Sequence, residues 1–176
     1  MAYHRDILEP AAGVTREIGF YLAGLEEVRA QTISIITDMT SDELAERFTP
    51  AFHQIGGLAL HLGECEYWWT QAAIAGRKLT EDDVKFAHIY DTTETEFALK
   101  GYTADDCIAF LTKIHQCSID TLAQFNDEDM DKVVLFEQHP DPFEGTLRWV
   151  LHHLVDHEAN HKGQMAMIKR LIRDGR

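Results

Sequence analysis

Basic residues are scarce in this chain: 16 lysines and arginines stand against 30 acids, for a formal net charge of −14. Such a surface repels phosphate backbones and carries no basic stripe to neutralise them, which argues against nucleic-acid binding and against docking on an anionic membrane. The acidity has a plainer use as well, in keeping a protein soluble. Cysteine is limited to Cys65, Cys107 and Cys117, an odd set without CxxC spacing. It indicates neither a disulfide framework nor a cysteine-based zinc site, and the three read as small buried hydrophobes. Proline is missing between Pro50 and Pro140, which leaves a long middle free to be helical. No apolar run approaches the ~18–20 residues of a membrane span. Residues Met1–Ile7 lack the apolar core of a secretory signal, so the chain reads as cytoplasmic. No internal repeat or low-complexity segment stands out.

The 176 residues, 45% hydrophobic and 26% charged, suit a single domain over 1–176 that can bury its own core. Helical periodicity dominates. A first helix is expected from about Val14 to Thr37, with Ile18, Leu22, Leu25, Val28, Thr32 and Ile36 inward. Thr40 to Glu43 matches a capping box. A second long helix is expected from Pro50 to about Ala75, stopped by Gly76. Residues 77–102 are polar and read as a loop with a short helix. A third helix fits Thr103 to Phe125, Val133 to Phe136 reads as a short extended segment, and His139 to Pro142 as a turn. A last helix runs from Gly145–Thr146 to about Arg173. Four long amphipathic helices predict an all-α, four-helix bundle.

Histidine is concentrated on the last helix, at His152, His153, His157 and His161. At about 100° per residue, Leu147, Val150, Leu151, Leu154, Met165, Ile168 and Ile172 share one face. His157 and His161 fall inside that face, His153 at its margin and His152 nearly opposite. On the second helix Leu58, Leu62, Cys65, Trp69 and Ala72 mark the buried side, which includes His61 and leaves His53 out. Three inward imidazoles from facing helices form the kind of set that binds a metal in a bundle core. Without an ion, each would need its own hydrogen-bond partner.

Residues 157–161 also spell HExxH, the signature of zinc peptidases. Only fifteen residues follow His161, with no His or Cys among them to supply a downstream third ligand, so a peptidase is disfavoured. The segments IGGLALHLGECEYWW (Ile55–Trp69) and HEANHKGQ (His157–Gln164), in this helical order, instead resemble the two signatures of the DinB/YfiT-like metalloproteins, and the resemblance covers essentially the whole chain. It implies up-down-down-up packing, frequent homodimers, and one divalent ion on the three matching histidines, His61, His157 and His161. It also points to a thiol-dependent transferase, since members of known activity include transferases that use bacillithiol, mycothiol or glutathione.

Glu66 and Glu158 are the candidate catalytic residues. Either could orient a ligand imidazole or accept a proton from a metal-bound nucleophile. Gly163 fits a close helix crossing, and Gln164 a hydrogen bond near the site. Tyr67, Trp68 and Trp69 read as packing aromatics rather than a substrate clamp. Three nitrogen ligands leave a coordination position open, which favours chemistry over scaffolding. Zinc or nickel suits imidazole best, with iron, cobalt or manganese also accommodated. The expected partners are a small-molecule thiol and an electrophile. The competing functions are a metal-dependent hydrolase and a non-catalytic metalloprotein or partner-binding bundle.

Overall fold

The structure, a computed structural model, describes residues 7–89, 101–137, 139 and 141–175. Its helices are α1 (Arg16–Ile36), α2 (Ser41–Ala45), α3 (Ile55–Tyr67), α4 (Glu81–Ala87), α5 (Ala104–Leu122) and α6 (Leu147–Asp174), with a hairpin of β1 (Val133–Phe136) and β2 (Phe143–Thr146) before the last. The helix starts follow local chemistry. Thr40, Thr80 and Thr103 each accept a bond from the backbone N–H three residues on, and Glu43, Asp83 and Asp106 reciprocate as capping boxes. The second long helix starts at Ile55, not at Pro50, and after Tyr67 it widens into a π-helical stretch, Trp68–Ile74.

Side-chain partners give the helix directions. From α1 to α6, Glu17 meets Arg148, Arg29 meets Glu158 and Asp38 meets Lys169, so the two run parallel. From α3 to α6, His61 meets His157 while Trp69 meets Trp149, so these are antiparallel. From α3 to α5, Glu66 meets His115 and Gln71 meets Thr121, so these run together. The bundle is therefore up-down-down-up. Two consecutive parallel helices require the chain to travel back along the bundle, about 28 Å for a helix the length of α5. That return accounts for the long polar stretch at 77–102: α4 is its short helix, and the acidic run Asp91 to Glu96 lies outside the described residues.

One charged level divides the core. Each long helix contributes to it: Arg29 from α1, Glu66 from α3, His115 from α5 and Glu158 from α6. To one side lie Leu58, Leu62, Leu111, Met165 and Ile168, and to the other Leu25, Trp69, Val150, Leu154 and Phe136. The hairpin pairs Val133 with Thr146 and Phe136 with Phe143. It buries Phe136 against Trp69, and Thr146 then caps α6 by accepting from the Trp149 N–H. β2 departs from the expectation, which has the last helix start at Gly145–Thr146 and gives Phe143 and Glu144 no element. Pro140, in that expected turn, lies outside the described residues.

Candidate metal centre

The α3–α6 crossing brings three imidazoles together. His61 lies in the second turn of α3, and His157 and His161 lie one turn apart on α6, so all three side chains enter the same gap. Ring centroids are 5.0 Å apart for His61 and His157, 5.2 Å for His61 and His161, and 4.5 Å for His157 and His161. The Nε2 atom of His157 is 3.2 Å from that of His61 and 3.2 Å from that of His161. All three residues are half-buried, so the cluster reaches solvent. His152 and His53 are exposed, and His53 precedes α3.

The outer ring nitrogens are already committed. His61 Nδ1 lies 3.2 Å from Glu64 Oε2, and His161 Nδ1 lies 3.0 Å from Gln164 Oε1. Both partners are acceptors, so each ring holds its proton on Nδ1 and turns a bare Nε2 lone pair inward. Two lone pairs then face the same Nε2 of His157. A proton on that nitrogen can satisfy one of them and a lone pair on it neither, and the other donor within reach of His61 Nε2 is the weak Cys65 thiol at 3.5 Å. A cation satisfies all three. The spacing fits too: ligand bonds of ~2.0–2.1 Å imply tetrahedral N···N edges of about 3.3 Å. Burial first, then the neighbouring His161, His61 and His153, push His157 down to about 3. Burial also lowers His161, partly opposed by the Gln164 bond. His157 and His161 are therefore uncharged and available at neutral pH.

Cys65, one turn beyond His61, departs from its reading as a plain buried hydrophobe. Its Sγ is 3.5 Å from His61 Nε2, and the ligand atoms of His61, Cys65 and His157 lie within 4.8 Å of one another. Burial, reinforced by Glu64, pushes its thiol up to about 12.

Glu66 and Glu158 sit elsewhere in the chemistry than expected for residues that touch the imidazoles. Both are 1% exposed, and both carboxylates go to Arg29. Glu158 takes the guanidinium in a fork at 2.6 and 2.7 Å, Glu66 accepts at 2.8 Å, and Arg29 also donates to the Leu111 carbonyl. Burial disfavours the charged form of Glu66, but Arg29 and then His115 outweigh it and hold the carboxyl at about 2. The acceptors that orient the ring nitrogens are Glu64 and Gln164. Glu64 went unread in the sequence, although its position three residues after His61 on one helix is the signal for it. Arg29 was also missed.

An aromatic wall flanks the imidazoles. Trp149 stacks on His153 at 5.1 Å with rings 5° from parallel, His153 is 5.7 Å from His157, and Trp69 packs on both Trp149 and His153. Tyr67 is turned away, donating its hydroxyl to Asp83. Gly163 is not at a close crossing: a Cβ there meets nothing within 4 Å, whereas one at Gly63 would lie 2.4 Å from the Phe110 ring.

A family model described as mycothiol-S-transferase matches residues 21–174. Among curated proteins no relative matches. Among solved structures, a conserved protein from Enterococcus faecalis is similar at 17% identity and TM-score 0.59, covering 88% of this chain and 95% of its own. YfiT from Bacillus subtilis, described as a probable metal-dependent hydrolase with an unusual four-helix bundle topology, is similar at 17% identity and TM-score 0.60, with 88% and 86% covered. At that identity the two structures speak for the fold.

Proposed function

The chain belongs to the mycothiol-S-transferase family, and on that premise we propose that it joins a low-molecular-weight thiol to a small electrophile at one divalent ion held by His61, His157 and His161. The observation that carries this reading is the convergence of three imidazoles, with the His157 Nε2 lying 3.2 Å from that of His61 and 3.2 Å from that of His161. A divalent ion of the zinc or nickel kind, bound there, would lower the pKa of a coordinated thiol, which is otherwise only a few per cent ionised at neutral pH.

The chain's own residues supply the rest. Glu64 and Gln164 keep the protons of two rings on Nδ1, and so keep Nε2 free for the ion. Glu158 follows His157 directly, and its fork with Arg29 anchors the backbone that presents this imidazole. Glu66 and Glu158 are thus positioning residues in this reading, since a carboxyl held near 2, as Glu66 is, makes a weak base. Trp149 and His153 offer a flat surface beside the site for an apolar electrophile.

The test has two parts. His61→Ala, His157→Ala and His161→Ala should each abolish stoichiometric metal binding by protein purified without a tag, while His152→Ala and His53→Ala should retain it. Metal-loaded protein should then conjugate mycothiol, bacillithiol or glutathione to a halonitrobenzene above the uncatalysed rate, with the S–H proton passing to solvent and halide leaving. Full metal content without any of the three histidines refutes the ligand set. Hydrolysis of an ester or amide with no thiol requirement would replace the transferase with a hydrolase.

A further inference from the structure

We propose that Cys65 is a fourth ligand of this ion, a thiolate that completes a three-histidine, one-cysteine shell; the inference rests on the metal-binding reading above. Cys65 follows His61 by four residues on α3, so both side chains leave the same helical face one turn apart. Its Sγ is 3.5 Å from His61 Nε2 and 3.7 Å from His61 Nδ1. With ligand bonds of ~2.0–2.1 Å to nitrogen and ~2.3 Å to sulfur, a tetrahedral shell has an N···S edge of about 3.6 Å and an N···N edge of about 3.3 Å. The observed 3.5 Å and 3.2 Å separations match both edges at the same atom, His61 Nε2. The sulfur also falls in one compact group with the His61 and His157 nitrogens; His161 stands outside that group and adjoins it through His157, 3.2 Å away. On binding, the thiol loses its proton to solvent and the sulfur keeps the electron pair that it donates.

The alternative for this contact is a weak S–H···N hydrogen bond from Cys65 to His61 Nε2. The two assignments differ in what the sulfur does when an ion is present. A thiolate ligand imposes a charge-transfer transition on cobalt(II), and it is shielded from alkylation. A hydrogen-bonded thiol does neither. The proposal also changes the expected resting state: the position left open by three histidines is filled from within, so a cosubstrate thiol meets an internal competitor of the same chemistry.

Cobalt(II) titrated into the wild-type protein should give an intense near-ultraviolet sulfur-to-cobalt band along with the visible ligand-field bands. Cys65→Ala should abolish that band while binding cobalt at the same stoichiometry with weaker affinity. Zinc should protect Cys65, but not Cys117, from iodoacetamide, as read by peptide mass spectrometry. One equivalent of cobalt bound with no charge-transfer band, or a band that survives Cys65→Ala, overturns the proposal and leaves the three-histidine reading standing. Wild-type protein that binds no metal overturns both. Should Cys65→Ala fold poorly, Cys65→Ser serves in its place, and a Cys65 that is alkylated in the metal-free protein and equally fast with zinc bound overturns the proposal independently.

Discussion

Replacing Arg29 with methionine removes the cation that two buried carboxylates share. Glu66 and Glu158 are each 1% exposed, and Arg29 bonds them at 2.8 Å and at 2.6 and 2.7 Å. Once the guanidinium is gone, His115 still reaches Glu66 at 2.8 Å, but Glu158 keeps no cation among its described partners. Breaking a buried ion pair by deleting one member costs about 3–5 kcal/mol, because the survivor stays desolvated. For a chain of this length each kcal/mol moves Tm by about 2–4 °C, so the expected drop is roughly 6–20 °C. Combining Arg29→Met with Glu66→Gln and Glu158→Gln removes the stranded charges and should recover much of the loss.

The acid limb of stability tests the cause. In the wild type Glu66 is held at about 2, below its ordinary 4.5, so its contribution is complete above pH 4.5 and is lost as pH falls toward 2. In Arg29→Met, desolvation without the guanidinium should raise the buried carboxyl, and stability should then increase as pH falls from 7 to 5. Urea unfolding followed by circular dichroism at several pH values reads both effects. A loss under about 1 kcal/mol, with an acid slope like that of the wild type, would refute the claim that Arg29 holds this level together.

Three further outcomes follow from other contacts. Glu66 outweighs the burial of His115 and raises its pKa above 6.5, so its contribution is complete below pH 6.5 and is lost as pH rises through the raised value; His115→Gln should flatten the urea-midpoint profile on that alkaline side. Chelation should lower Tm without unfolding the bundle, and metal release on acidification should fall below the ordinary imidazole value, because burial already holds His157 at about 3; a random-coil apo spectrum, or release centred above pH 6.5, would contradict this. Gly63→Ala should destabilise by about 1–3 kcal/mol, because the new Cβ would lie 2.4 Å from Phe110, while Gly163→Ala should be neutral or stabilise by roughly 0.5–1 kcal/mol in open space; paired thermal melts decide this.

The helices and the histidine cluster were legible because their signals are local and periodic. The wheel of α6 separated His157 and His161 from His152 with no knowledge of the other helices. The charged level was not legible, because the periodicity was counted in apolar residues. Apart from the small residues Gly19 and Ala23, the buried positions on α1 are Ile18, Leu22, Leu25, Arg29, Thr32 and Ile36, a regular alternation of four- and three-residue steps. The sequence reading took Val28 where the step calls for Arg29, since an arginine inside is sanctioned only by partners 37 and 129 residues away. The same blindness applied to Glu66 and Glu158, whose sequence positions beside His61 and His157 point to the imidazoles and carry no sign of Arg29. The parallel α3–α5 pair was legible only through the family resemblance, because helix direction depends on how the connecting segment travels.

The charged level and the imidazole cluster share their helices, and that bears on how the site is kept in register. An apolar bundle face tolerates sliding, because one leucine layer packs nearly as well as the next. A level with one guanidinium, two carboxylates and an imidazole does not: a slip of one turn, about 5.4 Å, would leave buried charges unpaired. Glu66 lies five residues from His61 along α3, and Glu158 lies next to His157 on α6. Fixing Glu66 and Glu158 on a single Arg29 therefore fixes the axial offset between His61 and His157, and their Nε2 atoms meet at 3.2 Å as a consequence of pairings made at the level of Arg29.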